Sequence, residues 1–108
     1  MPRLSPDLID MVSQLIATPS ISCVQPELDM SNEPVINLLA NWLETSGFKV
    51  TKQRVNSGKY NLISTIGHGS DGLIFSGHTD TVPYDEALWQ SDPFKLTERE
   101  GRYFGLGS

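Results

Sequence analysis

Residues 73–83 read LIFSGHTDTVP, an apolar run that leads directly into a histidine and an aspartate two positions apart. The apolar run follows a glycine-rich turn, and this pattern predicts a β-strand over residues 73–78. Side chains alternate between the two faces of an extended chain, so His78 and Asp80 point the same way if the backbone stays extended. The sequence therefore predicts a carboxylate beside an imidazole at the end of a strand.

This pair of side chains suits metal binding. A metal-bound histidine must be neutral and held in one tautomer, and a carboxylate that accepts its second ring N–H supplies both orientation and basicity. Gly77 leaves room beside the pair. His-x-Asp also occurs by chance, and the alternative is a strand-end histidine followed by an Asx-type turn of Asp80. Both interpretations stay open on these residues alone.

Helical spacing of the apolar residues predicts two helices before the strands. The first is expected to begin with Ser5 as its cap and Pro6 at the first helical position, and to end near Thr18, just before a proline. The second is expected to begin near Ser31 or Asn32 and to end at Gly47, which suits a left-handed C-terminal cap.

Two further runs, residues 48–55 and 60–66, are rich in β-formers and predict strands on either side of an Asn-Ser-Gly turn. Residues 94–97 and 102–104 predict a second, smaller hairpin. Helices that precede several strands indicate an α/β or α+β layer, and we expect an α/β fold with the helices packed on a mixed sheet.

The bulk composition narrows the class of protein. The chain has 108 residues and a formal net charge of -5, without a cluster of Lys and Arg, so nucleic acid and membrane surfaces are not expected partners. The single cysteine excludes an intrachain disulfide framework, and the first residues contain no long apolar run. We therefore expect a cytoplasmic location.

Three segments in one order carry a family resemblance. The stretch 76–83 is followed by WQSDPF at residues 89–94 and by GRYFGLG at residues 101–107. Together they resemble the dinuclear zinc aminoacylase and carboxypeptidase family, in which Gly-His-x-Asp-x-Val-Pro precedes Trp-x-x-x-Pro-Phe and Gly-x-x-Tyr/Phe-Gly-x-Gly. Residues 17–22 and 28–32 also fit a member of this family.

The resemblance implies part of a zinc-peptidase-like catalytic domain that hydrolyses a small N-acyl amino acid. In this family two zinc or cobalt ions activate water, and a glutamate serves as general base. The residue matching His78 binds one metal ion, and the residue matching Asp80 is the catalytic-site carboxylate that holds the imidazole. The family's inserted lid and dimerisation domain implies a homodimeric parent enzyme.

Family members continue past the Gly-x-Gly hairpin into a segment whose aspartate bridges the metals, and this sequence stops before it. We therefore expect residues 1–108 to be the N-terminal portion of a metallohydrolase catalytic domain, truncated before the bridging Asp. A catalytic zinc needs about three protein ligands, so the isolated chain is expected to be inactive and to hold no ion tightly. Its uncovered helix faces and strand edges are expected to favour self-association.

Two alternatives remain on the sequence alone. The same segment fits a related desuccinylase or dipeptidase, because the residues that select the substrate lie mostly beyond it. A non-enzymatic interaction module of the same fold is the other class. Among the remaining residues, His68 is expected to be a solvated turn residue, Cys23 an inert thiol, and Trp89 and Phe94 anchors of their loop.

Overall fold

The computed structural model describes residues 7–108, which form two helices and two antiparallel hairpins. The elements in chain order are α1 (Leu8–Ile16), α2 (Glu33–Thr45), β1 (Lys49–Asn56), β2 (Lys59–Thr65), β3 (Thr97–Arg99) and β4 (Arg102–Phe104). The α/β class is therefore confirmed. The described residues form two separate antiparallel sheets, however, and not the single mixed sheet that the sequence predicted.

Helix α1 begins at an aspartate cap. The Asp10 backbone N–H donates to Asp7 Oδ1 at 2.8 Å, which satisfies one of the free donors of the first turn. Ser5 and Pro6, to which the sequence assigned the cap and the first helical position, lie outside the described residues. The helix ends at Ile16, close to the predicted end.

Helix α2 ends in a Schellman motif, as Gly47 predicted. Gly47 has φ +94°, its N–H donates to Glu44 O, and the Phe48 N–H donates to Leu43 O. The helix buries Val35, Ile36 and Ala40 and packs against both β1 and β2. The predicted packing of this helix on a sheet is confirmed.

The start of α2 is fastened to the outer edge of β2 by Asn32. Its Nδ2 donates to Tyr60 O and its Oδ1 accepts from Tyr60 N–H, both at 2.8 Å. This side chain therefore takes the place of one residue of a neighbouring strand. Just before it, Ser31 Oγ donates to Gly58 O at 2.7 Å.

Strands β1 and β2 pair antiparallel, with Lys49 opposite Thr65 and Arg54 opposite Tyr60. Because the Tyr60 backbone groups face outward to Asn32, alternation along the strand makes the backbone groups of Leu62 and Ser64 face outward as well. The second predicted hairpin is also present, and its turn places Glu100 and Gly101 at φ +53° and +73°. Two successive left-handed residues are typical of a type I′ turn.

The predicted strand over residues 73–78 is wrong. This segment makes no strand ladder with the described residues, and Leu73, Ile74 and Phe75 are 88%, 94% and 92% exposed. A strand exists only when a partner lies about 4.8 Å away. Here a cleft of about 690 Å³ separates residues 75–80 from β2, so the two segments do not pair.

Candidate functional site

The residues around position 80 are fastened to the loop that follows α1. Ile21 and Thr81 form a parallel bridge, in which the Ser22 N–H donates to Thr81 O at 2.9 Å. On the other side, the Thr81 N–H donates to Ser20 O at 3.1 Å. The loop after α1 thus acts as a short parallel strand for the segment that carries the histidine and the aspartate.

The structure brings the two predicted site residues together. His78 Nδ1 lies 3.0 Å from Asp80 Oδ1, at hydrogen-bond distance. A neutral ring that donates from Nδ1 to the carboxylate leaves the Nε2 lone pair free to bind a metal. The side chains are 81% and 57% exposed, so attraction between them is weak and the local backbone must supply much of their orientation.

Two cavities meet at His78. One of about 170 Å³ is also lined by residues of α1, Val35 and Leu106. The other is the cleft of about 690 Å³ between β2 and residues 75–80, and its walls include Asn32 and Asn61. The imidazole therefore borders open space that has room for further groups.

Within residues 7–108, no group of three or more His, Cys, Asp or Glu side chains is placed to hold a metal ion. A catalytic zinc takes about three protein ligands and a water. The described residues therefore supply one candidate ligand, His78, and one carboxylate that orients it, Asp80.

Other polar side chains near this segment have local structural roles. His68 lies exposed in the turn after β2, as predicted. Asp85 Oδ1 accepts from the Ala87 N–H at 3.0 Å, where it caps a short 3-10 helix (Glu86–Leu88). Asp92 Oδ1 accepts from the Phe94 N–H at 2.9 Å. These carboxylates shape their loop.

The aromatic residues of this loop pack together. Tyr84 lies edge-on to Trp89, with ring centroids 6.5 Å apart, and edge-on to Phe94 at 5.4 Å. This arrangement agrees with the predicted role of Trp89 and Phe94 as anchors of their loop. Cys23 is half-buried, and its Sγ accepts from the Gln25 N–H at 3.5 Å.

Sequence reasoning missed two features near the site. Asp29 Oδ1 accepts from the Cys23 N–H at 2.9 Å and from Lys59 Nζ at 2.9 Å, which ties the loop after α1 to the first hairpin. The N–H donated by Cys23, and then the Lys59 ammonium, hold the pKa of the Asp29 carboxyl below its usual value. The second feature is the pair of hydrogen bonds between the Asn32 side chain and the Tyr60 backbone. Only the three-dimensional structure reveals these contacts of Asp29 and Asn32.

Residues 74–108, which include His78 and Asp80, match the model of peptidase family M20/M25/M40. The chain is 56% identical to acetylornithine deacetylase from Proteus mirabilis over 95% of its own length and 27% of that protein. It is 50% identical to acetylornithine deacetylase from Pasteurella multocida over 95% of the chain and 28% of that protein.

Similarity to acetylornithine deacetylase from Salmonella agona extends over the whole chain, at 46% identity and 29% of that protein. These findings confirm the resemblance predicted from the sequence. The chain spans 27% of the length of the first of these relatives. None of the helices within residues 7–108 has the length and apolar character needed to cross a bilayer.

Proposed function

We propose that this chain supplies part of the catalytic domain of a metal-dependent acetylornithine deacetylase. The reaction of the whole enzyme would be hydrolysis of N2-acetyl-L-ornithine to L-ornithine and acetate, in arginine biosynthesis. The single observation that carries this proposal is the paired geometry of His78 and Asp80 inside the segment that matches the peptidase family. Similarity to three acetylornithine deacetylases supports this substrate over those of a desuccinylase or dipeptidase.

The role proposed for His78 is that of a metal ligand. Its Nε2 points away from the carboxylate that engages Nδ1, and 81% of the side chain is accessible. Imidazole nitrogen is a good donor for zinc and for cobalt. This donor chemistry fits one position of a metal site, and we propose Zn²⁺ or Co²⁺ as the ion.

The role proposed for Asp80 is catalytic positioning of that ligand. By accepting from Nδ1 it selects the tautomer whose Nε2 lone pair is free, and it fixes the orientation of the ring. A divalent ion, when bound, polarises the substrate carbonyl and activates water. Residues 7–108 contain one candidate ligand, so the other ligands would come from residues outside them.

We further propose that residues 1–108 form the N-terminal portion of a metallohydrolase catalytic domain. Supporting this, the similarity runs along 95% of the chain while covering 27% of the Proteus mirabilis relative. Homodimerisation of the whole enzyme and a cytoplasmic location stay predictions.

A chimaeric enzyme tests the proposed function. The matching segment of the Proteus mirabilis deacetylase is replaced by this chain, and ornithine release from N2-acetyl-L-ornithine is measured with zinc or cobalt. We expect the chimaera to be active, and Asp80→Asn to lower its turnover by about 10- to 100-fold. We expect His78→Ala to lower turnover at least as much and to reduce the bound metal.

The other histidine of the chain provides the matched control. His68→Ala removes an exposed imidazole from a turn, so turnover and metal content should stay close to those of the unmodified chimaera. The 108-residue chain alone should release no ornithine with either metal. A folded but inactive chimaera, or a His78→Ala chimaera with full turnover, would contradict the proposed function.

A further inference from the structure

We propose that Ser20 is a positioning residue for the His78–Asp80 pair, an inference that rests on the function proposed for that pair. Ser20 lies just after α1, 59 residues before Thr79 in the chain, and its Oγ donates to Thr79 O at 2.6 Å. It is 5% exposed and is the only buried polar residue within residues 7–108. Its hydroxyl therefore has a specific partner next to the site.

The two hydrogen bonds of Ser20 engage the two peptide groups on either side of Asp80. Thr79 O, which accepts from Ser20 Oγ, belongs to the peptide group that precedes Asp80. The Thr81 N–H, which donates to Ser20 O at 3.1 Å, belongs to the peptide group that follows it. Only two backbone torsions, φ and ψ of Asp80, lie between these peptide groups. One residue therefore fixes both torsions.

The direction of the Asp80 side chain depends on these torsions. Asp80 and His78 are 57% and 81% exposed, so packing does little to hold them at 3.0 Å from one another. A mobile carboxylate would leave Nδ1 without its acceptor for part of the time. The backbone anchored by Ser20 supplies the rigidity that these exposed side chains lack.

Ser20→Ala removes the hydroxyl and leaves a partly buried Thr79 carbonyl without its donor. The Asp80 torsions then have one anchor in place of two, and Asp80 should spend less time on Nδ1. The readout is the ratio of the Nδ1–H to the Nε2–H tautomer of His78, from long-range ¹H–¹⁵N spectra of the 108-residue chain at one alkaline pH. We expect the ratio to fall by about 3- to 10-fold, the size of one lost hydrogen bond.

Two further variants separate positioning from general packing. Ser22→Ala removes an exposed hydroxyl two residues away and should leave the ratio unchanged. Ser20→Cys keeps a side chain of similar shape with a weaker donor, so its ratio should lie between those of the wild-type and alanine chains. His68 is the internal reference, since its ratio should not respond.

If Ser20→Ala does not fold, the cysteine variant decides. A folded Ser20→Ala or Ser20→Cys chain with the wild-type ratio at His78 would overturn the inference. Because the measurement uses no metal and no substrate, it is independent of the chimaera experiment. An inactive chimaera combined with a shifted ratio would refute the proposed function and leave the role of Ser20 in orienting the pair intact.

Discussion

Replacing Asn32 with alanine removes two hydrogen bonds that join α2 to the edge of β2, both 2.8 Å long and partly buried. Each such bond contributes about 0.5–1.5 kcal/mol net, so the free energy of unfolding should fall by about 1–3 kcal/mol. Asn32 makes no side-chain cap bond with α2, so loss of a cap adds nothing to this value. The expected melting temperature is lower by roughly 4–8 °C per kcal/mol in a chain of this size.

The assay is urea unfolding followed by tryptophan fluorescence and far-ultraviolet circular dichroism. Asn32→Asp keeps an oxygen that can accept from the Tyr60 N–H but places a second acceptor against Tyr60 O, where the amide donated, so it should also lose stability. Asn41→Ala, at an exposed position of the same helix, is the matched control and should cause no loss. Equal midpoints for the Asn32→Ala and wild-type chains would refute the assignment of these two bonds.

Two other outcomes follow from exposed apolar surface and from the Asp29 carboxyl. Ile74 is 94% exposed in a segment that has no strand partner among the described residues, so the chain should self-associate with rising concentration. Ile74→Lys should weaken this association in sedimentation analysis, whereas the control Ser70→Lys adds the same charge at an exposed polar position and should not. A wild-type chain that stays monomeric at high concentration would contradict the prediction. The pKa of the Asp29 carboxyl is lowered, so its ionised form stabilises the folded chain. This stabilisation is complete above the ordinary pKa of an Asp side chain, about 4, and is lost as the pH falls through the lowered pKa. Asp29→Asn should therefore lower the urea midpoint at pH 7, and the difference in midpoint from the wild-type chain should become smaller at acidic pH. A difference that does not change with pH would count against this interpretation.

Local patterns in the sequence were sufficient for the helices and hairpins. Each of these signals acts over only a few residues, so its effect can be predicted without knowledge of the fold. Examples are the helical spacing of apolar residues, Gly47 at the end of α2, and the Glu100-Gly101 turn. The strand predicted over residues 73–78 failed for the opposite reason. Its apolar residues favour a buried strand, but a strand also needs a neighbouring strand to pair with. The edge of β2 that could pair with it lies across a cleft.

The sequence alone was enough to predict that His78 and Asp80 lie side by side, because two residues at this spacing in an extended chain project to the same side. Only the tertiary structure shows which distant segments contact the residues around this pair and join the first helices to the strands. Ser20 reaches Thr79 across 59 residues, and Asn32 reaches Tyr60 across 28, and no local periodicity encodes such contacts. The physical reason is that a hydrogen bond depends on where two distant segments meet in space, whereas the direction of a side chain depends on the torsions of its own backbone.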